Sequence, residues 1–195
     1  MKKLLSIAAA LVLGASPMYA DGDFALKSGS PEAVCQKGIQ MNVEFDYSDC
    51  TIYDKDEEKY FTVEDYMEFK GEEWKRDFPG ELKKAEDAFS EEFNSDAKRC
   101  TINPIAKNAE FTVIFHLKEF CYGKKVVWVS SQNAWGSGEV SIKNNTTGEV
   151  IVTYTFSKVD GSVPMGTGMM ELRRESCYEH VAEALVKRIN KFKVK

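Results

Sequence analysis

The chain has 195 residues, with 26 lysines and arginines against 31 aspartates and glutamates, for a formal net charge of −5. That length accommodates one domain with a real hydrophobic core. The acidic balance argues against nucleic acid or an anionic membrane as partner, because such a surface repels phosphates instead of releasing their counterions.

Residues 1–20, MKKLLSIAAALVLGASPMYA, read as a signal peptide. Lys2 and Lys3 form a basic head, Leu4 to Ala15 an apolar run of suitable length, and Met18 and Ala20 an imperfect small-residue cleavage site before Asp21. The run is too short to span a bilayer, and no later stretch approaches the ~20 apolar residues a span requires. No cysteine stands at the cleavage point to be acylated. Cleavage takes two lysines and no acid, so the net charge moves from −5 to −7. The expected location is the periplasm or the extracellular medium.

Residues 21–37 are polar, contain Gly29 and Pro31, and read as a flexible arm or linker. A single globular domain is expected over 38–195. IQMNVEFDY (39–47) alternates Ile39, Met41, Val43 and Phe45 with polar neighbours, the pattern of a half-buried strand. Residues 51–61 read as a charged loop. Thr62 with Asp65 resembles a helix start, followed by Val63, Tyr66, Met67 and Trp74 on one face, with Gly71 and Pro79 interrupting. From Pro79, placed near a first turn, Leu82, Ala85, Ala88, Phe89 and Phe93 recur at helical spacing to about Asn94.

A loop over 100–109 precedes EFTVIFHLKEF (110–120), with Phe111, Val113, Phe115 and Leu117 on one face. KVVWVSSQ (125–132) and EVSIKN (139–144) are strand-like, divided by AWGSGEV (134–140). VIVTYTFSKV (150–159) alternates again after a turn containing Gly148, which is hairpin chemistry. A glycine-rich loop, GSVPMGTGMME (161–171), leads to a last helix. Ser176 and Glu179 form a capping box there, and Tyr178, Val181, Ala182, Leu185, Val186, Ile189 and Phe192 an apolar stripe. The expected fold is α+β, an α/β sandwich: a mainly antiparallel sheet of about four to five strands with two or three helices on one face.

The five cysteines, Cys35, Cys50, Cys100, Cys121 and Cys177, leave at least one thiol unpaired within the chain even where disulfides form. Cys35 and Cys50 flank one predicted strand, and at ~3.3 Å per residue its ends lie beyond the ~7 Å limit on Cα separation. Cys100 and Cys121 meet the same objection unless 101–109 doubles back. No C-x-x-C occurs and the only histidines are His116 and His180, so no zinc framework and no other metal or cofactor site is expected.

AWGSGEV is neither a G-x-S-x-G elbow nor a phosphate loop, and a strand follows it where either motif needs a helix. Its glycines read as a bend or bulge. Carboxylate pairs at 56–58, 72–73, 86–87 and 91–92 fall on solvent faces, with no apolar cleft to raise one pKa. Cys177 is the sharper chemical candidate. It is expected at a helix N-terminus, where the dipole lowers a thiol pKa, with His180 one turn on. The plainer alternative is a buried or bonded thiol and an exposed histidine. Among the tryptophans, Trp128 sits inside a strand and reads as core. Trp135, between Asn133 and Ser137, is the one expected to face solvent, where it can stack on a sugar or a peptide.

VEFDYSD, and GSGEVSIKNNTTGEVIVTYTF with its long hairpin and terminal helix, resemble small envelope proteins of the TolB N-terminal-domain-like fold. That group includes periplasmic lipoproteins of unknown function and the curli-secretion lipoproteins. Many of them carry a lipobox cysteine that this chain lacks. The resemblance implies a non-enzymatic role, docking onto a partner by sheet or loop surface, and supplies no catalytic residues. The expectation is therefore an exported binding or accessory protein for an envelope protein or extracellular ligand. Its binding face is expected at 133–138 and 161–169, with Trp135, Ser137 and Met165. The alternative is a secreted hydrolase or thiol-dependent enzyme using Cys177 and His180.

Overall fold

The computed structural model describes residues 24–106, 108–123, 134–161 and 171–194. Among them are eight strands: β1 (Ala25–Gly29), β2 (Ile39–Asp46), β3 (Thr51–Asp54), β4 (Lys59–Thr62), β5 (Cys100–Ile102), β6 (Phe111–Cys121), β7 (Trp135–Asn144) and β8 (Val150–Asp160). The helices are α1 (Val63–Lys70), α2 (Glu72–Asp96) and α3 (Glu171–Lys191). All the strands join one sheet in the order β1-β8-β7-β6-β2-β5, with β3 also on β6 and β4 paired to β3.

The sheet is mixed, which corrects the expected antiparallel sheet of four to five strands. β6, β7, β8 and β1 are antiparallel neighbours, but β2 and β3 both run parallel to β6 and β5 parallel to β2. The physical reason lies between β3 and β6. A helical connection is the crossover that parallel pairing needs, and α1 with α2 supplies it. β2 pairs with Phe111 to His116 of β6, and a turn closed by Cys50 N–H on the Tyr47 carbonyl redirects the chain. β3 then takes up the same edge of β6 at Glu119 and Phe120.

The uncounted strands were hidden by charge and brevity. The segment 51–61 is the β3–β4 hairpin, and 100–109 contains β5. The described part of the supposed arm is docked. β1 pairs with β8, Phe24 stacks on Tyr154 at 5.2 Å, and Val34 is fully buried. The predicted strand over 125–132 lies outside the described residues, as do the predicted signal peptide at 1–20 and residues 162–170 of the predicted loop.

Alternation on β6 puts Phe111, Val113, Phe115 and Leu117 on the helix-covered face, where α2 supplies Phe89 and α3 supplies Tyr178. Phe115 is the hub, with ring centroids 5.3 Å from Phe89, 4.4 Å from Tyr178 and 5.4 Å from Phe156. The opposite face is polar. There Glu139 bridges Lys118 at 2.6 Å and Lys27 at 2.9 Å, which holds its carboxyl below the ordinary glutamate range.

α1 begins as expected, with the Thr62 hydroxyl accepting the Asp65 N–H at 3.1 Å. Gly71, at φ 92°, ends it in a left-handed conformation that favours glycine. α2 starts at Glu72 and runs through Pro79, so the expected first-turn proline lies inside the helix and costs it a backbone hydrogen bond.

Phe78, Glu81, Ala85, Phe89 and Phe93 form the buried stripe of α2. Glu81 is the exception among them in kind, and it is paired. Arg174 of α3, 1% exposed, donates to Glu81 Oε1 at 2.7 Å and to the Tyr122 hydroxyl at 2.6 Å, and that hydroxyl donates to Glu81. The guanidinium also lies 4.4 Å from the Phe120 ring centroid and 5.1 Å from that of Phe78. Burial alone would lower the Arg174 pKa; Tyr122 and Glu81 outweigh it and hold the group protonated.

Candidate functional site: an open aromatic cleft

The β3–β4 hairpin and the adjoining ends of β7 and β8 enclose an open cleft of about 540 Å³. It is lined by Tyr53, Lys55, Tyr60, Ala134, Trp135, Lys158 and Asp160. Tyr53 and Tyr60 are register partners across the hairpin, with ring centroids 4.8 Å apart. Tyr60 is 52% exposed, unusual for a tyrosine on a folded strand.

Asp54 holds the hairpin that presents these rings. Its Oδ1 accepts the N–H groups of Asp56 and Glu57 at 2.9 and 3.1 Å. Its Oδ2 lies 2.7 Å from Lys70 Nζ and accepts the Tyr66 hydroxyl at 3.3 Å. Burial would raise this carboxyl; the Lys70 ammonium and the two backbone donors prevail, and its pKa lies below the ordinary aspartate value.

The other wall owes its shape to a bulge. Gly136 pairs with Val159 and Gly138 with Phe156, so β8 carries an extra residue there. Lys158 takes up the strain at φ 50°, the left-handed region that a non-glycine residue rarely occupies. The Ser137 hydroxyl accepts the Lys158 N–H at 3.0 Å, which satisfies the donor that the bulge removes from the ladder. Lys158 Nζ is thereby set 5.5 Å from the Trp135 ring centroid.

A second open hollow, about 490 Å³, lies along β4 and is lined by Thr51, Lys59, Tyr60, Phe61, Thr62 and Asp65. The two hollows share Tyr60. Lys59 Nζ sits 4.7 Å over the Phe61 ring, and Phe61 stacks on the exposed Phe69 at 5.1 Å.

The structure brings Trp135 to this cleft, but half-buried and not facing solvent as expected, because the ring lies against the wall of the hollow beside Lys158. Ser137 serves the bulge through its hydroxyl. Met165 and Trp128 lie outside the described residues. The expected bend is not in β7, which runs unbroken from Trp135 to Asn144; the extra residues belong to its neighbours β6 and β8. Tyr53, Tyr60, Lys55 and Lys158 were missed. The alternation of TIYD and KYFT was the available signal, masked by the acidic turn between them.

The plainer reading of Cys177, a buried thiol, holds, and its expected place at a helix N-terminus does not. α3 starts at Glu171, so Ser176 lies inside the helix and Cys177 is well past the first turn, where no free N–H groups remain to depress a thiol pKa. Cys177 is fully buried, and burial pushes its thiol up to about 12. Its Sγ donates to the Val159 carbonyl at 3.7 Å, and His180 Nδ1 lies 2.7 Å from the Asp160 carbonyl oxygen. Both side chains tie α3 to the end of β8. All five cysteines are buried free thiols.

Among the described residues, no helix is long and apolar enough to cross a membrane, and no group of three or more histidine, cysteine or carboxylate residues could hold a metal ion. No family model and no curated protein matches the chain. Among solved structures, it is similar to the PelC dodecamer from Paraburkholderia phytofirmans in two crystal forms. For a point variant in space group C2 the identity is 15% and the TM-score 0.42, covering 84% of this chain and 98% of that one. For the form in space group P6 the identity is 14% and the TM-score 0.41, covering 83% and 97%.

Proposed function

We propose that this chain is an exported, non-enzymatic binding protein that takes an extracellular ligand or envelope partner in the Trp135 cleft. The observation that carries the reading is the convergence of Trp135, Tyr53 and Tyr60 on one open hollow, with Lys55, Lys158 and Asp160 at its margin. An exposed ring, Tyr60, beside two half-buried ones at the wall of an open hollow, with a few polar groups at its margin, is what a recognition surface offers. The leader-like residues 1–20 support export. The likeness of the N-terminal strand and long hairpin to TolB N-terminal-domain-like envelope proteins supports a non-enzymatic role.

The competing thiol-enzyme reading rested on Cys177 and His180. A nucleophile needs an accessible thiolate, and Cys177 is a buried thiol engaged with the β8 backbone.

Expression of the full chain, with N-terminal sequencing of the periplasmic and culture fractions, tests export; a mature chain starting at Asp21 is expected. Recovery of uncleaved chain only from the cytosol would reject it. Screening of glycan and peptide arrays tests binding, with wild type and the Trp135→Ala and Met165→Ala variants side by side. Ligands retained by wild type and lost with Trp135→Ala support the cleft; equal retention by all three rejects it.

A further inference from the structure

The geometry points to a ligand class: we infer that the two hollows meeting at Tyr60 form one groove for a carboxylated polysaccharide. Its sugar rings would stack on Trp135 and Tyr60, and its carboxylates would pair with Lys55, Lys59 and Lys158. This inference rests on the proposed binding role of the cleft.

Length is the first argument. Tyr60 lines both hollows, so a bound chain passes over it from the Trp135 side to the Phe61 side. A compact ligand fills one hollow and leaves the other unexplained. A polymer occupies both.

Chemistry is the second. Aromatic rings present a negative face that attracts the polarised C–H edge of a sugar ring as it attracts a cation. The exposed Tyr60 and the half-buried Trp135 line a wide, open hollow. A peptide recognised by strand addition needs narrow pockets for its alternate side chains, and both hollows here are wide and open.

Charge is the third. In a chain of net charge −5, the two hollows together carry three lysines, Lys55, Lys59 and Lys158, against Asp65 and Asp160. Glu119 lies close enough to Tyr60 to help raise its phenol pKa, after burial. The mixture suits a chain with a carboxylate on some sugars and hydroxyls on all of them, since the acids accept hydrogen bonds from the hydroxyls. A nucleic acid strand, with a phosphate at every residue, meets those same acids as repulsion. The lysines are also placed by the fold: Lys158 by its left-handed bulge, and Lys59 above Phe61.

The test is a fluorescence and calorimetric titration of the full mature chain with oligogalacturonate. A neutral glucan of equal length, polyglutamate and oligothymidylate serve as comparisons. Oligogalacturonate is expected to bind and to perturb tryptophan emission. Trp135→Ala or Tyr60→Ala should each weaken binding about tenfold, the loss expected for one stacked ring. Trp135→Phe, which keeps a ring, should retain most of the affinity, and thermal melts of each variant separate lost binding from lost folding. Lys158→Gln should weaken binding and flatten its salt dependence, whereas Lys83→Gln, on the exposed side of α2, should change neither.

Equal binding of the neutral glucan, or preference for polyglutamate or oligothymidylate, overturns the carboxylated-glycan assignment. If one of those ligands binds in a Trp135-dependent manner, the cleft stands and only the ligand class falls. If none of the four binds in that manner, this inference falls, and the array screen decides the cleft separately.

Discussion

Gly138 shows how little room the sheet leaves at single positions. A Cβ there would lie 2.1 Å from the His116 carbonyl oxygen and 2.8 Å from Phe156 Cζ. Backbone cannot yield as a side-chain tip can, so Gly138→Ala is expected to destabilise by about 3 kcal/mol, the upper end for overpacked cores, measured by urea unfolding. At Gly136 the nearest atom is Cys177 Sγ, at 2.7 Å. The glycines of AWGSGEV thus serve close packing of β7 against β6, β8 and α3. Cys177, with its thiol pushed up to about 12 by burial, should resist iodoacetamide in the native protein near pH 8 and label fully in denaturant. Rapid native labelling, mapped by mass spectrometry, would restore the thiol-enzyme reading.

The β3–β4 hairpin depends on a single carboxylate. Asp54 is nearly buried, and its lowered pKa means that the folded state favours the ionised form. Its contribution is therefore complete above the unfolded value of about 3.9. It is lost as pH falls through the lower folded value, when a proton displaces Lys70 and the turn donors. The thermal midpoint should fall on acidification below about pH 4, and Asp54→Asn should lower it at neutral pH and make the acid decline shallower. Removing the charge leaves Lys70 without its close partner, at a cost of about 1–3 kcal/mol. Because the same hairpin carries Tyr53 and Tyr60, near-ultraviolet dichroism of the tyrosines should report the change. An unchanged acid profile in the variant would show that Asp54 does not anchor the turn.

At the scale of the molecule, a buried ion pair ties the two long helices to each other and, through the Tyr122 hydroxyl, to the sheet. Glu81 comes from α2, Arg174 from α3 and Tyr122 from the chain just after β6. Burying two charges is costly, and the pair mainly fixes how the layers meet. Breaking it is another matter, because Glu81→Ala strands a guanidinium that is 1% exposed. A loss of about 3–5 kcal/mol is expected in urea unfolding. Replacing Glu81 and Arg174 together by leucine and methionine should cost less than the single change.

Periodic segments were legible in the sequence because a buried face leaves a repeat. β2, β6, β8 and the apolar stripe of α3 lie within a few residues of where alternation and helical spacing put them. The polar residues flanking Trp135 point to a solvent-facing ring, yet it is half-buried, because the β3–β4 hairpin and Lys158 stand beside it. Strand direction was not, since a strand reads alike in parallel and antiparallel pairs and only the α1–α2 crossover decides. Nor were β1, β3, β4 and β5, which are only three to five residues long; β1 and β5 are held as strands by neighbours distant in sequence, and β3 and β4 by each other across an acidic turn. Ser176 and Glu179 imitate a cap inside α3; with the helix starting at Glu171, the alternative of a reactive Cys177 loses its basis, and the thiol is buried as the plainer reading has it. The cleft itself is a meeting of residues about 80 to 100 positions apart, Tyr53 and Tyr60 with Trp135 and Lys158. Local sequence determined which rings and charges this protein carries. Only the tertiary structure, by laying β3 on the edge of β6 and bulging β8 at Lys158, decided that they face one another.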